Sequence, residues 1–294
     1  MEPDFDKRFK QQILHVFKFT VRFLEQHHLR YVACGGTVLG AVRHQDFIPW
    51  DDDIDIYMPR ADYERLLDLK EEARREGFDV VSLRDKGYYL PFAKVTDMHT
   101  TLWEQKEFPF LMGVYVDLFA LDNFDCSDEE LTAIQRMSLK KFYNYQKSVN
   151  YKPTYTLWKD LLHGRFDDAL DKLQIFLSRP LRKPLLHNFL RYQKWYSGFD
   201  GPKTVCVTQW AGKIFKREWF EDTIELPFAD MTIVVPRDYD GYLRCLYGDY
   251  MQLPPVEKRV SEHNHLYLDF DKQVVPPGFP ASCSPFVNFP NFHA

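Results

Sequence analysis

The chain has 294 residues, of which 45% are apolar, 16% aromatic and 28% charged, so it can bury a full core and reads as a globular protein of one elaborated domain or two small ones. The formal net charge of −5 gives no reason to expect nucleic acid as a partner, and no stretch approaches the ~18 to 20 apolar residues of a membrane span. Five scattered cysteines, never in C-x-x-C spacing, suggest neither a disulfide framework nor a zinc site; a cytoplasmic protein is expected, with a place at the inner face of the membrane left open.

From Asp6 to about His28, Phe9, Ile13, Val16, Phe17, Phe23 and Leu24 follow helical spacing, and Arg30 to Cys34 reads as the first strand. The pair Gly35-Gly36 follows, then Thr37 and residues that can form a short helix. This is a strand-turn-helix whose backbone N–H groups can hold an anion. Asp53-Ile54-Asp55-Ile56 then alternates strictly, which places both aspartates on one face of a strand and both isoleucines in the core. Carboxylates ~6 Å apart at an effective dielectric of about 20 repel by on the order of 3 kcal/mol. A divalent cation reverses that sign. Magnesium suits the geometry because it takes few protein carboxylates and fills its other positions with water and phosphate oxygens; manganese is the alternative ion.

Pro49-Trp50 and Tyr57-Met58-Pro59 bound the strand, with a helix beginning near Arg60. An EF-hand reading of Asp51, Asp53 and Asp55 fails, because Ile56 and Asp62 stand where glycine and glutamate are required. The spacing Asp51-Asp52-x-x-Asp55 of diphosphate-binding isoprenoid enzymes belongs on a helix, and the alternation here argues for a strand. A nucleotide-sugar glycosyltransferase needs a Rossmann-like half before its Asp-x-Asp site, and only one helix and one strand precede Asp53.

The run from Gly35 to Ile56 resembles the LicD family, which includes the fukutin-related sugar-phosphate transferases and is marked by G-G-T-x-L-G-A-x-R-H followed by F-I-P-W-D-D-D-I-D-I. The resemblance implies a nucleotidyltransferase-like α/β (α+β) fold: a mixed sheet flanked by helices, with a helical insertion.

Ala61 to about Glu76 reads as one amphipathic helix closed by Gly77, and Phe78–Leu83, Leu90–Val95 and Thr100–Glu104 read as strands extending the sheet in mostly antiparallel fashion. Within the apolar strand Val114 to Phe119, Asp117 is costly unless something positive meets it. The resemblance implies a V-D-[IL]-F element here, so Asp117 is expected as the third metal ligand or as a base. Lys94, polar amid Pro-Phe-Ala-Lys-Val, is a candidate phosphate contact.

Ser127 and Glu130 form a capping box for a helix to about Lys147. From Lys147 to Lys194 the chain holds ten Lys or Arg against four Asp, a net of +6, while the rest sums to −11. Leu157, Leu161, Leu170, Leu173, Phe176 and Leu177 recur at helical spacing here and are expected in the core. The basic excess suggests the acceptor side, with peripheral membrane contact open. Leu226-Pro-Phe, Val235-Pro-Arg-Asp-Tyr and Leu246-Tyr-Gly-Asp-Tyr-Met-Gln-Leu-Pro-Pro also resemble the LicD pattern. Arg259 and His263 follow as candidates for binding phosphate and for hydrogen bonding or base action.

The expected organisation is a catalytic core over 1–125, a basic helical insertion over 126–200, a completing part over 201–273 and a Pro-rich, poorly ordered arm over 274–294. The resemblance implies transfer of phosphocholine or a related phospho-alditol from a CDP-linked donor to a glycan or lipid-linked glycan hydroxyl. Asp53, Asp55 and Asp117 would hold magnesium; Gly35, Gly36, Thr37, Arg43, Lys94, Arg259 and His263 would bind substrate. Nucleotidyl transfer and a glycan- or nucleotide-binding pseudoenzyme are the alternatives.

Overall fold

The computed structural model describes residues 3–209, 211–261 and 265–280. Helix α1 (Pro3–Gln26) leads through strand β1 (Val32–Ala33) into α2 (Gly35–His44), and then β2 (Asp55–Pro59), α3 (Arg60–Asp68) and α4 (Lys70–Arg75) follow. Strands β3 (Phe78–Val81), β4 (Ala93–Asp97), β5 (Thr101–Trp103) and β6 (Tyr115–Phe124) precede a helical stretch: α5 (Asp128–Val149), α6 (Leu157–Leu162), α7 (Phe166–Ser178) and α8 (Arg182–Tyr196). The last third holds β7 (Lys203–Val205), β8 (Phe215–Lys216), α9 (Glu218–Glu221), the hairpin β9 (Thr223–Phe228) and β10 (Met231–Pro236), α10 (Tyr239–Tyr247) and β11 (Tyr267–Asp269).

The central sheet runs β1-β2-β6-β4-β3, with β7 and β8 continuing from the far end of β6. Among the described strands of this sheet only β2 and β6 pair in parallel; the others are antiparallel, which makes the sheet mixed. One row across it, Ile56–Leu118–Ala93, is fully buried and belongs to the main core together with Phe9, Ile13 and Phe17 of α1. The adjacent row, Asp55–Asp117–Lys94, therefore points to the opposite face.

A second core joins Tyr88, Tyr89, Trp103 and Tyr115 to Phe142 and Tyr145 of α5 and Phe189 of α8, so part of the helical stretch shares its packing with the sheet. Helix α5 starts where the sequence places it. The Ser127 Oγ accepts from the Glu130 amide and the Glu130 carboxylate accepts from the Ser127 amide.

Several expectations are corrected. Asp53 precedes β2, which begins at Asp55. The helix expected over 61–76 is broken at Leu69 into α3 and α4. Strand β5 leaves the main sheet and pairs with β11. The arm expected to be poorly ordered packs over its first residues: the Val274 amide donates to Thr101 Oγ1, and Phe279 lies edge-on to Trp103 at 5.3 Å. Leu161, Leu170, Leu173, Phe176 and Leu177, expected in the core, are exposed.

Candidate active site

The site is assembled from the backbone outward. The Asp55 amide donates to Thr37 Oγ1 at 2.9 Å, and its carbonyl accepts from the Cys34 amide at 3.0 Å, so the start of β2 is fixed to the start of α2. Gly35 adopts φ +55°, and its amide donates to the Tyr242 hydroxyl of α10 at 3.0 Å. The Thr37 amide donates to the Cys34 carbonyl, which commits two of the turn's three N–H groups internally. At Gly36 a Cβ would come within 2.5 Å of Asp51 Oδ2, so a carboxylate sits directly against this turn.

Asp55 faces Asp117 in register on the neighbouring strand, and Lys94 faces Asp117 from the other side. The Lys94 ammonium lies 2.7 Å from Asp117 Oδ1 and 3.2 Å from the centre of the Tyr115 ring, and its side chain is only 2% exposed. Lys94 therefore meets the cost of burying Asp117 in an apolar strand. Tyr115 and Tyr89 in turn donate to the two oxygens of Glu104, the former through a very short contact. The carboxyl of Asp55 is held well above the ordinary carboxylate range, by desolvation first, then by Asp53, Asp117 and Asp51, with Lys94 acting in the opposite sense. Burial pushes the Cys34 thiol up as well, and Asp55, Asp53 and Asp117 add to it.

These observations describe a cluster of like charges that favours a cation. Among the described residues no group of three His, Cys, Asp or Glu side chains stands as a ready-made metal cage. A divalent ion held here would complete its coordination with water and substrate oxygens, the mode magnesium favours.

The basic candidates gather on the α10 side. Arg43 donates from Nη1 to the Tyr250 carbonyl at 2.6 Å, and its guanidinium pKa is lowered by burial and then by Arg259. Arg259 donates to the Pro254 carbonyl at 2.9 Å and lies over the Trp50 ring at 5.5 Å. Two guanidiniums near enough for Arg259 to lower the Arg43 pKa form a place for an anion. His263 lies outside the described residues.

Three groups carry site features that sequence reading left without a role. Tyr247 is 42% exposed as a residue, while its hydroxyl pKa is raised by desolvation and then by Asp55, Cys34, Asp51 and Asp53. The Tyr88 hydroxyl is buried without a hydrogen-bond partner among the described residues, and Asp117 follows burial in raising its pKa. His265, two residues beyond the expected histidine, has a side chain 8% exposed with Nε2 3.6 Å from Asp52 Oδ2, the oxygen that also accepts from Ser261. The motif Y-G-D-Y signalled Tyr247, and the His-Asn-His spacing left two histidines to choose between.

Comparison with known proteins bears on the same residues. A curated relative, the lipopolysaccharide cholinephosphotransferase LicD of Haemophilus influenzae, is 27% identical over 255 residues, covering 85% of this chain and 92% of the relative. An uncharacterized Rickettsia prowazekii protein, RP689, is 35% identical over 68 residues, 23% of this chain and 26% of its own length. Residues 28–158, which include Asp53, Asp55, Lys94 and Asp117, match the family model described as LicD/FKTN/FKRP, nucleotidyltransferase domain. Over that segment the chain is similar to the LicD/FKTN/FKRP nucleotidyltransferase domain, and the Asp55–Asp117 row lies within the matched residues.

Proposed function

We propose that this chain transfers a phosphocholine or related phospho-alditol group from a CDP-linked donor to a hydroxyl of a glycan. The observation that carries the reading is the row Asp55–Asp117–Lys94, with Asp53 and Asp51 acting on it, on the face of the sheet opposite the main core. The similarity to a cholinephosphotransferase supports the choice of transferred group.

In this reading Asp53 and Asp55, with Asp117 as third ligand, hold a divalent cation, magnesium or manganese, which neutralises charge on the donor diphosphate. Lys94 positions Asp117 and limits the charge the cluster must bear. Arg43 and Arg259 receive the outer phosphate oxygens. The acceptor hydroxyl oxygen forms a bond to the distal phosphorus as the bond from that phosphorus to the CMP oxygen breaks. CMP departs with the bonding pair, and the hydroxyl proton passes to a carboxylate of the cluster. Positioning and charge neutralisation supply most of the acceleration.

Phosphorus NMR of the reaction with CDP-choline, magnesium and a glycan acceptor tests this. Free CMP and a phosphodiester on the glycan are expected. Pyrophosphate, formed when a nucleoside triphosphate is offered instead, would assign nucleotidyl transfer.

A further inference from the structure

At the far end of β6 the fold leaves a cavity of about 520 Å³ beside the start of α5 and the end of α8. Three aromatic rings line it: Phe124, the last residue of β6, Trp195 in the last turn of α8, and Phe199 just beyond that helix. Phe199 meets Trp195 at 5.0 Å and 75° and Phe124 at 5.7 Å and 87°, so each neighbouring pair of rings stands nearly at right angles. Trp195 and Phe199 are 53% and 40% exposed, while Phe124 is buried. The charged residues of the lining are Asp125, Glu130 and Asp200, and among the described residues no lysine or arginine lines it.

The surroundings stay negative after their own cations are counted. Residues 122–130 hold five acids and no base, and Asp200 is the sixth acid here. Asp122 is met by Arg60, Asp128 by Lys203 and Asp200 by Arg217, which leaves Asp125, Glu129 and Glu130 with no ion pair among the described residues. Acids in the first turn of α5 suit a helix start, and the Glu130 carboxylate accepts from the Ser127 amide there. Capping does not account for a tryptophan and a phenylalanine held half-exposed beside them. Ring faces attract cations, tryptophan most strongly. A divalent metal needs convergent oxygen ligands, and no group of three metal-ligating side chains gathers among the described residues. A primary ammonium or guanidinium needs acceptors at hydrogen-bond distance. A quaternary ammonium has no N–H, spreads its charge over methyl groups, and is matched by ring faces with carboxylates at longer range.

We propose that this cavity binds a small quaternary ammonium ion of the choline class, as the free alcohol and not as its phosphate ester. The acids that attract a trimethylammonium group would repel a phosphate. Phe124 lies seven residues beyond Asp117 on the same strand, roughly 23 Å at ~3.3 Å per residue, so the cavity is separate from the acidic row. The inference therefore does not depend on the reaction proposed above.

Isothermal titration calorimetry of the full chain with choline, in chelator and at constant ionic strength, tests it. Saturable binding is expected, shared by tetramethylammonium and weaker by about tenfold for dimethylbutanol, the uncharged carbon isostere, and for phosphocholine. Trp195→Leu keeps an apolar wall without a ring and should weaken choline binding about tenfold. Asp125→Lys, at an exposed position, should weaken it as much, which decides the matter should the leucine variant fail to fold. Asp55→Asn should bind choline as the unaltered chain does. Absence of saturable choline binding overturns the proposal. So does binding that Asp55→Asn abolishes and Trp195→Leu leaves intact, which would assign it to the acidic row. Dimethylbutanol or phosphocholine binding as tightly as choline would overturn the proposed ligand class.

Discussion

Asp55 stands directly opposite Asp117 across two parallel strands, and Lys94 meets Asp117 from the antiparallel neighbour at 2.7 Å. One acidic side chain in this row thus has a buried cation of its own, while the other takes its environment from the acids around it.

The Asp55 environment carries a pH dependence. Its carboxyl is held above the ordinary value of 3.8, so without metal the folded chain binds this proton more tightly than the unfolded chain. Stability contributed by the site is then greatest in acid and falls as pH rises from about 4 into the raised range. Asp55→Asn should increase stability to urea at neutral pH in chelator and leave it unchanged near pH 4. The same variant should lose at least about a hundredfold in turnover.

Lys94 is different because its loss strands a buried charge. Lys94→Met should cost about 3 to 5 kcal/mol at neutral pH, since Asp117 is left without its partner. Adding Asp117→Asn should restore much of that loss. A double-mutant cycle by denaturant unfolding measures the coupling, and additive costs would show that the pair does not act as a unit.

Two glycines of α2 separate site effects from fold effects. At Gly36 the added methyl meets the far end of the Asp51 side chain, whereas at Gly40 it meets the backbone carbonyl of Asp46 at 2.5 Å. Gly36→Ala should therefore keep most of its stability and lose activity. Gly40→Ala should lose about 1 to 3 kcal/mol. Thermal melts and donor turnover on both variants make the comparison.

In the basic segment, Arg179 donates to the Asn150 and Lys152 carbonyls and Arg182 to that of Ser148, closing the helices onto the end of α5. Their replacement by alanine should lower the melting temperature by several degrees. Lys183→Glu, at an exposed position, should change stability by no more than about 0.5 kcal/mol. A test of anion recruitment by charge reversal belongs on Lys183 and not on the two arginines.

Local patterns in the sequence reached far into this structure. The alternation around Ile54 and Ile56 and the capping box at Ser127 are patterns spanning a few residues, and β2 and α5 follow from them. What escaped was set by distant partners. Nothing near Gly35 announces that its amide is taken by Tyr242, 207 residues away, or that Asp52 is met by His265. The leucines of α6 and α7 have the spacing of a core helix, but their inward side is occupied by Asp160, Lys172 and Arg165, and periodicity alone does not say which way a stripe faces.

The central claim is that Asp53, Asp55 and Asp117 hold a divalent cation together with the donor diphosphate. Titration of manganese into the protein by electron paramagnetic resonance, with and without CDP-choline, measures this most directly. Binding should be weak alone, strengthened by the donor, and lost in Asp53→Asn, Asp55→Asn and Asp117→Asn. Donor-dependent manganese binding that persists undiminished in all three variants would contradict the assignment.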